Sequence, residues 1–157
     1  MSWDMVLVSE SDLGDSEYHF NATSMEPVKN AMAALRMTVP VAEPRWPRAT
    51  DFGLRALDIA HLDESDPDLP QAVREFFAAD SRVREWSPES PAGIPSYKIG
   101  GTNDNWLVTP EEVRRALAAY DSADQLAREE AVGGVPGWEG WISFLRTAAE
   151  HGGFRVE

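Results

Sequence analysis

A helix-dominated α+β fold, one domain with a small N-terminal antiparallel sheet, is the expectation that three features of this 157-residue chain raise. Residues 3–9, WDMVLVS, are rich in β-formers and lack helical periodicity, so the chain should open with a strand. Stretches that combine capping residues with apolar stripes at helical spacing recur after it. Two proline-rich stretches, residues 38–53 and 87–96, read as irregular loops between them.

Size and composition support one core. The apolar fraction is 43%, with six Trp, six Phe and three Tyr, enough buried surface to offset the entropy of ordering the chain. There is no cysteine, which removes disulfides, thiol nucleophiles and Cys-based zinc sites. The opening MSWDMVLVSESD lacks a basic segment and a long apolar run, so neither a secretory signal nor a membrane anchor is expected there, and a cytoplasmic location is.

Taken in order, the strand at 3–9 should turn over residues 11–16 and pair with residues 17–21. In TSMEPVKNAMAALRM, residues 23–37, Thr23 and Glu26 have capping-box spacing, Pro27 suits a first turn, and Val28, Met32 and Leu35 make one stripe. Residues 38–53 contain three prolines that exclude a long helix or a central strand, with Trp46 as their anchor. Residues 54–61, LRALDIAH, suit a short helix. LPQAVREFFAAD, residues 69–80, suits a longer one that starts from Asp68 with Gln71 three positions on, and buries Val73, Phe76 and Phe77.

SPESPAGIPS, residues 87–96, has too few apolar positions to join a core. Thr109, Pro110 and Glu112 then form a complete helix start, followed by the stripe Val113, Leu117 and Tyr120. A short helical piece near 122–131 and a final helix over 138–150 complete the helical part, the latter with Trp141, Ile142, Leu145 and Ala149 inward. His151, Gly152 and Gly153 stop it, and residues 154–156 return as an edge strand.

The net charge is −13, which repels phosphate backbones and anionic lipid, so neither nucleic acid nor a membrane is expected as partner. DIAHLDESDPD, residues 58–68, is the acidic extreme. Its carboxylates, Asp58, Asp63, Glu64, Asp66 and Asp68, form either a solvated linker, the commoner fate of such runs, or a docking face for a basic partner protein. As a calcium loop starting at Asp63 it fails, because Pro67 falls on a ligand position and Asp68 on the turn glycine.

Recognised catalytic patterns are missing: there is no G-x-S-x-G and no phosphate loop ending in GK[ST]. The three histidines make no recognisable pair. His61 with Asp63 is one H-x-D match without a third ligand, His151 suits a helix end, and His19, between aromatics beside a polar turn, is the best site candidate. No catalytic residue, metal or cofactor is assigned. Asn21-Ala22-Thr23 meets the glycosylation pattern, yet turn and cap chemistry accounts for both polar residues.

One stretch holds more amides than a helix start needs. In YKIGGTNDNWLVTPEEVRRAL, residues 97–117, the part from Val108 is architecture and GGTNDNW is the surplus. It shares a plan with YHFNATS, residues 18–24: an aromatic, small and amide residues, then a capped helix. If the two turns converge, His19, Asn21, Thr23, Asn103, Asp104, Asn105 and Trp106 would line a concave pocket for a small polar ligand of nucleotide-like character. Capping alone explains most of these residues, and Trp106 equally suits the core.

FNATSMEPVKNAM, TNDNWLVTPEEVRRAL and WISFLRTAAEHGGFRV together resemble a group of small proteins of actinobacteria and their phages that carry no assigned activity. The matching positions are Asn21, Thr23, Met25, Asn103, Asp104 and Trp106, and the likeness covers about a third of the chain. Many members have Asn-Gly-Trp where this chain has Asn105 before Trp106.

Two functional readings lead. One is a non-enzymatic acidic protein docking on a partner, in an immunity, antitoxin-like or phage-encoded inhibitory role. The other is a small-ligand-binding module built on the two Asn-rich turns. An enzyme using His19 or His61 with a nearby acid is third.

Overall fold

The computed structural model describes residues 2–9 and 16–157, and the fold is α+β. The turn expected over residues 11–16 lies, but for Ser16, outside the described residues. Two compact units emerge, residues 1–42 with 87–157, and residues 43–86.

The larger unit is built on a four-stranded antiparallel sheet. Strand β1 (Ser2–Leu7) pairs with β2 (Glu17–Asn21) in the register Ser2 to Asn21, Asp4 to His19 and Val6 to Glu17. Alternation along these strands sends Trp3, Met5, Leu7 and Phe20 into the core, leaving Asp4 and His19 on the other face. The expected N-terminal pair is therefore real, but it is half of the sheet. Two C-terminal strands, β5 (Trp106–Val108) and β6 (Phe154–Val156), complete it in the order β2, β1, β6, β5.

Strand β6 was expected at an edge and lies inside, between β1 and β5. The cause is the Gly152-Gly153 pair. Both take φ of +82°, and a Cβ on Gly153 would collide with the Val108 carbonyl oxygen, so only a glycine lets the chain turn this tightly alongside β5. Strand β5 was not expected at all, because three residues are too short for alternation to register in a sequence.

Helix α1 (Ala22–Ala34) starts two residues earlier than its sequence suggests. Asn21 is its cap: the side-chain carbonyl accepts from the N–H groups of Thr23 and Ser24, while Ser24 Oγ accepts from Asn21 N. Pro27 consequently falls in the second turn rather than the first, where it lacks the N–H that would bond Thr23 O. After α1 the two-residue strand β3 (Thr38–Val39) pairs in parallel with β4 (Ile94–Pro95). Ile94 is fully buried and its N–H donates to Met37 O, so the second half of the 87–96 loop joins the core that its composition argued against.

Helix α4 (Pro110–Ser122) has the expected start, with Thr109 and Glu112 in reciprocal bonds. Helix α5 (Gln125–Val132) is capped by Asp124, and α6 (Trp138–Glu150) ends at His151. Trp141 on α6 is the centre of the core. Its ring lies 5.0 Å from Phe20 and 5.8 Å from Phe154, and its indole N–H points at Met32 Sδ on α1.

The smaller unit, residues 43–86, holds a 3₁₀ turn (Ala49–Phe52), the four-residue helix α2 (Ala56–Ile59) and helix α3 (Gln71–Arg84). Helix α2 is shorter than the eight residues its sequence suggests, closed by Arg55 N–H donating to Asp58. Pro70 occupies the N-cap position of helix α3 with no side-chain cap bond; Asp68 does not cap the helix but donates its N–H to Asp66. Of the three residues expected inward on α3, Val73 is buried and Phe76 and Phe77 are half-buried, in a ring cluster with Phe52. Trp46 anchors its segment by donating to Glu43.

Candidate functional site

The GGTNDNW loop leads from Ile99 into β5, and side chains from three other elements hold its backbone. Lys29 on α1 donates to Gly100 O, Trp3 on β1 to Gly101 O, and Arg155 on β6 to Asn105 O. Asn103 donates in turn to Ser2 O at 2.6 Å, and Thr102 donates to Asp104. Gly100 has φ of +67° and rests against Met25 and Lys29 so closely that a Cβ would overlap both.

These contacts bring the two Asn-rich turns to the same end of the sheet, since Ser2, the acceptor for Asn103, is the cross-strand partner of Asn21. Their polar groups face the chain itself. The Asn21 carbonyl is committed to the α1 cap, Asn103 to Ser2 and Asp104 to Thr102; Thr23 is exposed, and its N–H is taken by the cap. Trp106 is fully buried with its ring 4.8 Å from Tyr97, edge-on, so it packs the core. Asn105 takes a left-handed φ of +58°, a conformation that Asn tolerates better than most residues. Four clefts among the described residues are lined by other side chains.

His19 and Asp4 face each other across β1 and β2, with Nδ1 2.6 Å from Oδ1 and both side chains well exposed. His61 is exposed in the acidic segment of the other unit. No group of three or more His, Asp or Glu side chains among the described residues is arranged to hold a metal ion, so His61 and Asp63 find no third ligand there.

The acidic segment is continuously exposed from residue 61 to 68. Part of its charge is engaged locally. Asp58 pairs with Arg55 at 2.8 Å, which holds its carboxyl below the usual range, and Asp63 accepts from the hydroxyl and N–H of Ser65, which does the same. Asp66 accepts from the N–H of Asp68. Two large apolar side chains stand open beside these carboxylates: Leu57 is 78% exposed and Leu62 38%.

One charged pair escaped the sequence reading. Lys98 and Glu112 are both fully buried, with Nζ 2.9 and 3.0 Å from the two carboxylate oxygens and 2.7 Å from Leu107 O. Glu112 also accepts from Ser87 Oγ and Thr109 N–H. Burial pushes the Lys98 ammonium below its ordinary range, and Glu112 partly opposes that shift. The available signal was Lys98 lying between Tyr97 and Ile99 in a chain with one other lysine.

The chain matches no family model, and no curated protein or solved structure is similar to it at a significant level. Among the described residues no helix is long and apolar enough to cross a membrane.

Proposed function

We propose that this protein is a non-enzymatic, cytoplasmic docking protein that binds a basic partner protein through residues 57–68. The observation that carries the reading is the exposure of two leucines, Leu57 just before the acidic run and Leu62 within it. A solvated linker needs only charge. Leu57 and Leu62 add what a linker lacks, apolar anchors able to fill a pocket on the partner, while Glu64, Asp66 and Asp68 steer a basic surface toward them.

An immunity, antitoxin-like or inhibitory role fits such a surface, and kinship with the small actinobacterial and phage proteins is part of the proposal. The left-handed backbone at Asn105 supports that kinship, because Gly and Asn are the residues that suit it, so Asn-Gly-Trp and Asp-Asn-Trp build the same turn.

The test is capture of the partner from an actinobacterial lysate, followed by titration of the purified pair. Binding should weaken about tenfold between low and physiological salt, and Leu57→Asp or Glu64→Lys with Asp66→Lys should abolish capture. A complex indifferent both to salt and to these changes would sink the proposal.

The small-ligand reading stands second, supported by the shared position of the two Asn-rich turns and weakened by the internal bonds of Asn21, Asn103 and Asp104. A thermal shift with ATP or GTP that Asn103→Ala removes would promote it.

A further inference from the structure

Within residues 43–86 the protein carries a second surface, opposite in character to the acidic run. Helix α3 presents Ala79, Arg82, Val83 and Trp86 at the spacing of one helical stripe, reaching just past its last turn. Facing them is the extended segment that contains Pro44, Arg45 and Pro47, whose prolines keep it out of helix and sheet. Together they enclose an open groove of about 280 Å³. Its floor is proline, valine and alanine, and Trp86 closes one end of the helical stripe at 38% exposed.

The groove also holds two positive charges that no acid compensates among the described residues. Acids outnumber bases 27 to 14, and several basic side chains have an acceptor among the described residues: Arg84 pairs with Asp80, Arg55 with Asp58 and Arg146 with Asp121. Arg45 and Arg82 are exposed, and neither makes a hydrogen bond or ion pair among the described residues. The last turn of α3 favours a cation at Arg82 by itself. It says nothing for Arg45, which comes from a separate segment to the same groove.

We propose that this groove binds an extended acidic peptide segment of a partner protein, with a proline or aliphatic side chain laid against Trp86 and the prolines and flanking carboxylates held by Arg45 and Arg82. Charge complementarity selects the acid, since a planar guanidinium takes a carboxylate through two parallel hydrogen bonds. Shape selects the peptide. The groove is open and lined by apolar groups and two exposed guanidinia, without the buried polar atoms that orient a small molecule, and aromatic and proline walls suit a chain in polyproline conformation. The inference does not depend on residues 57–68, which present the opposite charge.

The test uses the full chain labelled with nitrogen-15 and three synthetic peptide probes: acidic with a central Leu-Pro pair, acidic with Gly-Ser at the centre, and basic with Leu-Pro. The first should perturb the Trp86 indole and the amides of residues 79–83, and bind at least about tenfold more tightly than either control. Arg45→Glu with Arg82→Glu, two exposed changes that should leave the melting temperature in place, should remove that preference. Equal binding of acidic and basic probes, perturbations centred elsewhere, or an unchanged preference in the double variant would overturn the inference. So would perturbation of the same amides on concentrating the protein alone, which would assign the groove to a second copy of the chain.

Discussion

Glu112 carries two duties that a sequence shows as one. It closes the capping box of α4 with Thr109, and it neutralises the buried ammonium of Lys98. Removing it with Glu112→Ala strands a charge in the core, and urea denaturation should record a loss of about 3–5 kcal/mol. Lys98→Met should cost less, because the carboxylate retains its bonds from Ser87 and Thr109. The pH dependence follows from burial. With its folded pKa lowered, Lys98 binds its proton more weakly in the native state than in the unfolded chain, whose value is near 10.5. Between those two values the unfolded chain holds more protons, so the native protein should gain stability relative to Lys98→Met as pH rises toward 10.5. The capping half of this arrangement was legible from Thr109, Pro110 and Glu112. The ion pair was not, because Lys98 and Glu112 meet only when the chain folds the GGTNDNW loop between them.

At the scale of elements, the start of α1 separates what spacing can reveal from what it cannot. Thr23 with Glu26 and Asn21 with Ser24 are competing frames for one helix start, and capping-box chemistry in the sequence points to the first. Asn21 prevails because β2 runs to that residue in extended conformation, with φ −98° and ψ 171°, and so delivers its side chain to the free N–H groups of Thr23 and Ser24. Asn21→Ala should therefore cost about 1 kcal/mol in thermal or urea unfolding. Thr23→Ala should stay within about 0.5 kcal/mol, as an exposed change away from any cap. Equal losses would mean that the cap is shared. Helix α4 raises no such ambiguity, since Pro110 favours one frame over the others.

At the scale of the whole molecule, charge dominates. With a net charge of −13 at neutral pH the chain repels copies of itself, and this protection disappears near the sequence pI of about 4.6. Solubility followed by light scattering should pass through a minimum near that pH and recover on either side, while Leu57→Asp should raise the minimum by removing the most exposed leucine among the described residues. A flat profile would show that net charge does not set the protein's solubility.

Local chemistry alone determined much of this protein. Capping residues, prolines and apolar stripes depend on neighbours within a turn or two, so the helices over 23–37, 110–120 and 138–150, the first strand pair and the acidic run at 58–68 could all be read from the order of residues. Tertiary structure decided the rest. Strand β6 is central because two left-handed glycines let it lie along β5, and Trp106 belongs to the core because β5 pairs with β6 there, Trp106 opposite Val156. The GGTNDNW loop is bound to Ser2, Trp3, Lys29 and Arg155 rather than left open, and the Trp86 groove joins segments that are remote in sequence. The physical reason is common to all four: each depends on contacts between residues far apart along the chain, and spacing in a sequence carries no record of those.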